Sequence, residues 1–225
     1  MIPLKDENPS RTFPAVTVTL IVINMVVFFY EVSLGRNVEQ FVYRMGATPY
    51  NIVHVGLSAY PTLFTSMFIH GGWEHVLGNM LYLWIFGDNV EDFLGRIRFI
   101  IFYLFCGVVA SFAHILTQAG SQIPTIGASG AISGVLGGYI LLYPKARVLT
   151  LIPLGYFIRL VRLPAVAVLG MWILIQLFSG FASLPGAGAR GGVAFFAHIG
   201  GFVVGLVLIR LFGGRRQPRR PYYAL

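Results

Sequence analysis

Residues 125–144 read TIGASGAISGVLGGYILLYP, an apolar stretch long enough to cross the hydrocarbon core of a bilayer as a helix. Ser129 nevertheless lies near its start, between Gly127 and Gly130, and Ser133 follows one helical turn later. Because polar side chains are costly inside a membrane, a hydroxyl at this position requires a functional or packing reason.

The remainder of the chain has the composition of a membrane protein. Of its 225 residues, 56% are hydrophobic and 11% are charged, whereas about 25% are charged in an average globular domain. Apolar runs of spanning length lie at 13–30, 75–94, 98–117, 126–143, 163–183 and 192–212. We therefore predict an all-α fold, a polytopic membrane protein whose core is a bundle of six transmembrane helices. No small-residue cleavage site follows the first run, so we expect it to remain as a span.

The basic residues predict the orientation of the bundle. With the N-terminus in the cytoplasm, only Arg36, Arg44 and Arg190 fall outside, which leaves 13 of the 16 Lys and Arg residues inside. We therefore expect a multi-pass protein of the cell (inner) membrane with both termini cytoplasmic. The net charge of +8 is dispersed over several loops, which disfavours nucleic-acid binding because that requires a clustered basic surface.

The chain divides into a cytoplasmic N-terminal segment (1–12), a membrane domain (13–213) and a basic cytoplasmic tail (214–225). The tail contains RRQPRR and could contact anionic lipid headgroups. A long loop at about 31–73 has too many breaks for a spanning helix, and we expect it in the outer interface.

Two further connections differ from ordinary short loops. Residues 147–164 are apolar but bracketed by basic residues and interrupted by Pro153 and Gly155, which indicates an interfacial or re-entrant segment on the inner face. Residues 183–192, SLPGAGARGG, are small and glycine-rich, which is typical of a mobile connection and would suit a lid.

Four polar residues from three spans share one depth. Spans two, four and six all run from the outside to the inside in the predicted orientation. His75 and Asn79 lie in the first turns of span two, Ser129 in the first turn of span four, and His198 about two turns into span six. At a rise of about 1.5 Å per residue, all four lie roughly 5–10 Å below the outer surface.

This coincidence favours acyl transfer chemistry. A serine becomes a nucleophile when a base lies within hydrogen-bond reach, and the helix of His198 also carries Gly201 and Gly205 on the same face. These glycines would let that face approach a small-residue ridge in span four, formed by Gly130, Gly134 and Gly138. The backbone N–H of Ser129 and the side chains of His75 and Asn79 could donate hydrogen bonds to an oxyanion.

Each of these residues also has a purely structural interpretation. Ser129 could belong to a packing ridge, and His75 and Asn79 could bond neighbouring carbonyls. Every acidic residue lies at or before Asp92, so a Ser–His dyad is the simplest arrangement, with Glu74 as an alternative third member. His54, His70 and His114 are expected to be solvated or to contact headgroups, and Cys106 is expected to be a small core residue.

Four segments together resemble the bacterial rhomboid family of intramembrane serine proteases along nearly the whole chain. They are IPLKDENPSRTFP, HGGWEHVLGNMLYLWIFGDNVEDFLG, GASGAISGVLGGY and AHIGGFVVG. The resemblance implies a rhomboid-like six-helix bundle with a Ser129–His198 dyad, an oxyanion hole helped by His75 and Asn79, and neither cofactor nor metal. It also implies that span five and the following loop gate the access of a substrate transmembrane helix.

The resemblance has one departure. Some rhomboids carry an aromatic residue four positions after the nucleophile that stacks on the histidine, and Ser133 stands there in this chain. What positions His198 is therefore open, and Ser133 itself could contribute through a hydrogen bond. The implied function is a serine endopeptidase acting on transmembrane protein substrates within the lipid bilayer, with small residues near the cleavage site. The alternatives are a non-catalytic protein that binds membrane helices and, less compatible with spans three to six lacking acidic residues, a transporter.

Overall fold

A computed structural model describes residues 1–155, 157–183 and 193–213. The predicted lid segment and basic tail, at 184–192 and 214–225, lie outside the described residues. The helices, in chain order, are α1 (Ala15–Ser33), α2 (Val38–Met45), α3 (Pro49–His54), α4 (Thr62–Thr65), α5 (Trp73–Leu94), α6 (Arg96–Thr117), α7 (Ser129–Leu142), α8 (Ala165–Ala182) and α9 (Phe195–Leu211). The strands are β1 (Ile2–Asp6), β2 (Arg147–Leu154) and β3 (Phe157–Pro164).

The long helices coincide with the predicted spans, which confirms a mostly helical polytopic membrane fold. Helices α1, α6 and α8 are long and apolar enough to cross a membrane, while α7 and α9 are shorter apolar helices of 14 and 17 residues. Helix α7 is therefore about 21 Å long, less than the roughly 30 Å of a hydrocarbon core. A helix this short, if it ends at the inner interface, begins below the outer surface.

Helix α7 packs between α6 and α9, and glycines make both contacts close. A Cβ on Gly201 or Gly205 of α9 would overlap the carbonyl oxygen of Gly130 or Gly134 in α7. On the other side of α7, a Cβ on Gly130 would lie 2.7 Å from the Cβ of Ala110 in α6. The close approach predicted from these glycines is confirmed, because no larger residue fits between the backbones.

Cys106 and the aromatic side chains fill the interior around this contact. Cys106 is fully buried on α6 and faces Gly134, as expected for a small core residue. Phe86 and Tyr139 pack edge to face with ring centroids 4.9 Å apart, and both are fully buried. Because such pairs stabilise beyond their buried area, this contact joins α5 to α7.

The start of α1 is capped by a side chain from another helix. Pro14 precedes α1, and the Glu91 carboxylate near the end of α5 accepts hydrogen bonds from the backbone N–H groups of Val16 and Thr17 at 3.0 and 2.8 Å. The Thr17 hydroxyl donates to the same carboxylate at 2.8 Å. Glu91 thereby satisfies N–H groups that have no partner within α1 and carries negative charge to the positive end of its dipole.

Residues 147–164, predicted to be interfacial or re-entrant, form an antiparallel β-hairpin. Its strands pair from Arg147 with Pro164 to Leu154 with Phe157, and the connection includes Gly155 at a φ of +63°. Two strands satisfy each other's backbone groups, whereas a re-entrant loop must find partners inside the bundle. The pairing could not be read from the apolar pattern, because short apolar runs fit several structures.

The N-terminal segment joins this hairpin as a third strand. β1 pairs antiparallel with β2, from Ile2 opposite Leu151 to Asp6 opposite Val148. The Tyr139 hydroxyl donates a 2.6 Å hydrogen bond to the Asp6 carboxylate, and burial raises the pKa of Asp6 to about 7. Residues 1–12 are therefore integrated with the helical domain.

The long loop between α1 and α5 is folded into helices α2, α3 and α4. Its own small core consists of Ala47, Ile52 and Leu63, packed with Ile115 of α6. At the end of α1, the buried Glu31 carboxylate accepts the backbone N–H of His70 at 3.2–3.3 Å. These contacts hold the chain immediately before α5.

Candidate active site

Ser129 and His198 lie within hydrogen-bond distance. Ser129 is the first residue of α7, and His198 is the fourth residue of α9, with its Nε2 2.8 Å from the Ser129 Oγ. Helix α9 begins three residues later than predicted, so His198 lies in its first turn rather than two turns in. The glycine contact between α7 and α9 brings the two side chains together.

The other ring nitrogen of His198 contacts a residue that the sequence analysis did not identify. His198 Nδ1 lies 2.8 Å from Oε1 of Gln176 on α8. The Trp172 ring, one turn earlier on α8, has its centroid 5.8 Å from that of His198 at an interplanar angle of 37°. A glutamine inside an apolar helix is the sequence signal for this residue, whereas the third members predicted from the sequence were acidic residues alone.

The remaining candidates for a third member take other positions. Glu74 is exposed at the start of α5 and lines the same cavity, but the described contacts of His198 do not include it. Ser133 donates a 2.6 Å hydrogen bond to the Ser129 backbone carbonyl, so it bonds within its own helix. The ring beside the imidazole is that of Trp172 on α8.

His75 and Asn79 occupy successive turns of α5 and line the same cavity as the serine. The backbone N–H of Gly71 donates to His75 Nδ1 at 3.3 Å, so the neutral ring carries its proton on Nε2. Asn79 is buried, and its Nδ2 has no hydrogen-bond partner among the residues that the structure describes. Both side chains therefore present N–H donors that are available to a ligand.

Gly127 allows the backbone before Ser129 to pass close to these donors. A Cβ on Gly127 would lie 2.6 Å from His75 Nε2, and the residue has a φ of +117°. Its N–H donates to the Ser66 carbonyl at 2.9 Å, which connects this turn to the loop between α1 and α5. Glycine is needed here both for space and for its conformation.

The cavity has a volume of about 830 Å³ and connects the four polar candidates. His75, Asn79, Ser129 and His198 line it together with Trp172. Its rim includes described residues on both sides of the predicted lid, Ser183 and Val193. The volume is within the range of ordinary ligand sites and can hold a short stretch of extended peptide.

The other histidines differ in their surroundings. His54 is exposed and stacks on Tyr50, which agrees with the expectation of a solvated residue. His70 is buried rather than solvated, with its ring centroid 5.0 Å from that of His75. Burial and the neighbouring His75 lower the pKa of His70 to about 4. Over the described part of the chain, no three His, Cys, Asp or Glu side chains cluster as metal ligands would.

Fold and site together define a polytopic membrane protein with a serine and a histidine paired in a cavity between its helices. The chain belongs to the rhomboid family, because the model of the Rhomboid domain matches residues 57–215.

Three relatives illustrate the similarity. Rhomboid protease GluP of Bacillus subtilis is 30% identical over 94% of this chain, and putative rhomboid protease YdcA of the same organism is 28% identical over 58%. Rhomboid-like protein 11, chloroplastic, of Arabidopsis thaliana is 25% identical over 84%. The matches span 41%, 63% and 65% of the lengths of these relatives, respectively, so this chain corresponds to part of each.

Proposed function

We propose that this chain is an intramembrane serine endopeptidase that hydrolyses peptide bonds in or near transmembrane helices of membrane-protein substrates. The observation that carries the proposal is the 2.8 Å contact between Ser129 Oγ and His198 Nε2 inside a cavity. A hydroxyl this close to a neutral imidazole can lose its proton as it attacks a carbonyl carbon. Family membership and the relatives named as rhomboid proteases support the same activity.

In the acylation step, His198 first accepts a proton from Ser129 and then donates a proton to the leaving amine. His198 Nε2 accepts the Ser129 Oγ proton while Oγ bonds to the carbonyl carbon, and the carbonyl oxygen becomes an oxyanion. The backbone N–H of Ser129, His75 Nε2–H and Asn79 Nδ2–H donate hydrogen bonds to this oxyanion. The imidazolium then protonates the amine nitrogen, the C–N bond breaks, and the amine product leaves an ester on Ser129.

Deacylation repeats the sequence with water as the nucleophile. His198 takes a proton from water as the oxygen attacks the ester carbonyl, and the same donors bond the oxyanion. The bond from the carbonyl carbon to Ser129 Oγ then breaks, the imidazolium returns its proton to Oγ, and the product with the new carboxyl group leaves. A cavity that opens toward the outer side supplies this water while the surrounding helices exclude lipid.

Substrate choice follows from the hydrogen bonding of a transmembrane helix. An intact helix keeps its carbonyls bonded and sterically shielded, so the scissile bond must first be unwound. Glycine and other weak helix formers lower this cost, and we therefore expect small residues near the cleavage site. Helix α8, with the segment that follows it, would admit the substrate from the side.

We further propose six membrane spans in the cell (inner) membrane, with both termini in the cytoplasm. The domain boundaries are those of the sequence analysis: an N-terminal segment at 1–12, the membrane domain at 13–213, and the basic tail at 214–225. The supporting observation is the excess of basic residues on the side of the β-sheet, which includes Lys5, Arg147 and Arg159.

Reconstitution in liposomes with a single-span model substrate tests the activity. Ser129→Ala and His198→Ala should each lower kcat by on the order of 10³-fold or more, because either loss removes most of the nucleophilic activation. Labelling by a fluorophosphonate should require both residues. Ser133→Ala is the matched control: a serine one turn away that bonds only a backbone carbonyl in the described structure should be dispensable for cleavage.

Two results would contradict the proposal. Cleavage by Ser129→Ala above a trace would assign the chemistry to another group. Stable binding of the substrate without turnover in the wild type would favour the non-catalytic helix-binding alternative.

A further inference from the structure

We propose that Gln176 is a positioning residue that selects the tautomer of His198 in which Nε2 can accept the Ser129 proton. The proposal rests on the proposed protease function for its role in catalysis, although the tautomer itself can be measured independently. Gln176 reaches the imidazole from α8, whereas the serine and histidine come from α7 and α9.

The atoms in contact determine the direction of the hydrogen bond. The amide oxygen Oε1 of Gln176 can only accept, so His198 Nδ1 must donate across the 2.8 Å that separates them. The single proton of the neutral ring is then on Nδ1, and the lone pair of Nε2 points toward Ser129 Oγ at 2.8 Å. In the opposite tautomer an N–H would face the hydroxyl, and the ring could not act as a base.

The surroundings of Gln176 indicate that this contact is its principal interaction. Gln176 is 8% exposed in a predominantly apolar helix, where an amide without a hydrogen-bond partner would be destabilising. Its Nε2 reaches only the Trp172 carbonyl in the described part of the chain, at a long 3.5 Å. The shorter of the two hydrogen bonds is the one that Gln176 Oε1 accepts from His198 Nδ1, as expected if the main role of the amide is to accept that bond.

Trp172, one turn before Gln176 on α8, also holds the His198 ring in its orientation. Residues four apart lie on one face of a helix, so Trp172 and Gln176 both face α9. The indole lies beside the imidazole, 5.8 Å between centroids, and limits its rotation. Because Ser133, one turn after Ser129 on α7, has no ring to place against the imidazole, α8 supplies both the ring contact and the Nδ1 acceptor.

The neutral amide of Gln176 and a carboxylate at the same position would affect the protonation of His198 differently. Gln176 orients the imidazole without adding negative charge, so it does not stabilise the imidazolium as a carboxylate would. Replacing the amide by a carboxylate should keep the acceptor and change the pH dependence, whereas replacing it by an apolar side chain should remove the acceptor.

The experiment compares Gln176→Met with Gln176→Glu in liposomes. Gln176→Met preserves approximate side-chain length and should lower kcat by about 10–10³-fold while KM changes less than about threefold, because only the orientation of the base is lost. Gln176→Glu should recover most of this kcat, with the acid limb of the kcat/KM profile moved upward by about 1–3 pH units. The limb moves upward because the carboxylate favours the protonated imidazole, which is inactive as a base.

Ile175→Met is the matched control on the adjacent, lipid-facing position of α8. Ile175 is 52% exposed, and this variant should keep the kcat and pH profile of the wild type. Wild-type kcat in Gln176→Met, or an acid limb that does not move in Gln176→Glu, would overturn the proposal.

A spectroscopic measurement separates this proposal from the protease proposal. The imidazole ¹⁵N shifts of His198 in the wild type should report a protonated Nδ1 and an unprotonated Nε2, and Gln176→Met should change this population. This readout needs no turnover, so an inactive wild type with the Nδ1–H tautomer would contradict only the protease function. A tautomer that is unchanged by Gln176→Met would overturn the role of Gln176.

Discussion

His75 and Asn79 each present an N–H donor at the cavity that holds Ser129. The bond from Gly71 to His75 Nδ1 leaves Nε2 as the donor, and Asn79 keeps an unpaired buried amide within the described structure. A buried donor without a partner costs about 1–3 kcal/mol in most proteins. An oxyanion that bonds these groups would recover that cost in the transition state, which is the form of stabilisation that raises kcat.

Alanine variants at the two positions test this interpretation. His75→Ala and Asn79→Ala should each lower kcat by about 10–1000-fold with a smaller change in KM, because the donors bond a charge that develops only during reaction. Steady-state cleavage in liposomes and thermal unfolding in detergent should be measured on the same preparations.

Glu74→Gln is the matched control for these variants. Glu74 lines the same cavity and precedes His75, but the described contacts of His198 do not include it, so its variant should retain the wild-type kcat. If the alanine variants instead lose activity only in proportion to their unfolded fraction, the residues join α5 to its neighbours and take no part in the reaction.

Helices α7 and α9 show how packing without bulky side chains sets the distance between Ser129 and His198. Gly201 and Gly205 lie three and seven residues after His198, and a Cβ at either would overlap a backbone carbonyl of α7. Lipid provides little hydrophobic drive for helix association, so close backbone approach and dispersion supply much of the stability. The distance from Ser129 Oγ to His198 Nε2 therefore depends on residues without side chains.

Gly205→Ala should destabilise the protein and reduce activity together. The added methyl meets the backbone of Gly134, which cannot rotate away, so we expect a loss of about 2 kcal/mol or more in detergent unfolding. Gly170→Ala on α8 is the control, because no heavy atom lies within 4 Å of the added Cβ. That variant should unfold at the wild-type temperature or slightly above it. Equal stability of the two variants would show that the α7–α9 contact tolerates separation.

The whole molecule combines a helical bundle with a β-sheet at one end. The start of α1 and the end of α5 meet at Glu91, and the Arg98 guanidinium near the start of α6 donates to the Phe212 carbonyl after α9 at 3.2 Å. These ends lie on the side of the sheet, because Asn89 near the end of α5 donates to the Asn8 carbonyl just after β1 at 3.0 Å. Among the residues that the structure describes, this side carries most of the basic side chains, and the cavity lies toward the opposite side.

Cysteine labelling in intact cells tests the proposed orientation. With Cys106 replaced by alanine, Leu57→Cys in the outer loop should react with an impermeant maleimide, and Phe157→Cys in the hairpin should react only after permeabilisation. The two positions are matched in accessibility, at 82% and 76% exposed. The reverse labelling pattern would show that the proposed orientation is wrong and that the cavity lies on the cytoplasmic side.

Sequence alone predicted the long helices and four candidate site residues, because both depend on local pattern. An apolar run long enough to cross the bilayer predicts a membrane span. Polar residues within such runs stand out, and four of them lie at one predicted depth: Ser129, His198, His75 and Asn79. The same logic located Gly201 and Gly205 as points of close approach, since small residues at helical spacing have few other uses.

Tertiary structure alone decided which further residue contacts His198 and how the β-sheet forms at the other end of the helical bundle. Gln176 became a partner of His198 only once α8 packed on α9, because a bond between separate helices depends on their rotation and separation. His70 proved buried for the same reason. The pairing of β1 with β2 joins residues more than a hundred positions apart, and such pairing is set by the folded chain around it rather than by either strand's own pattern.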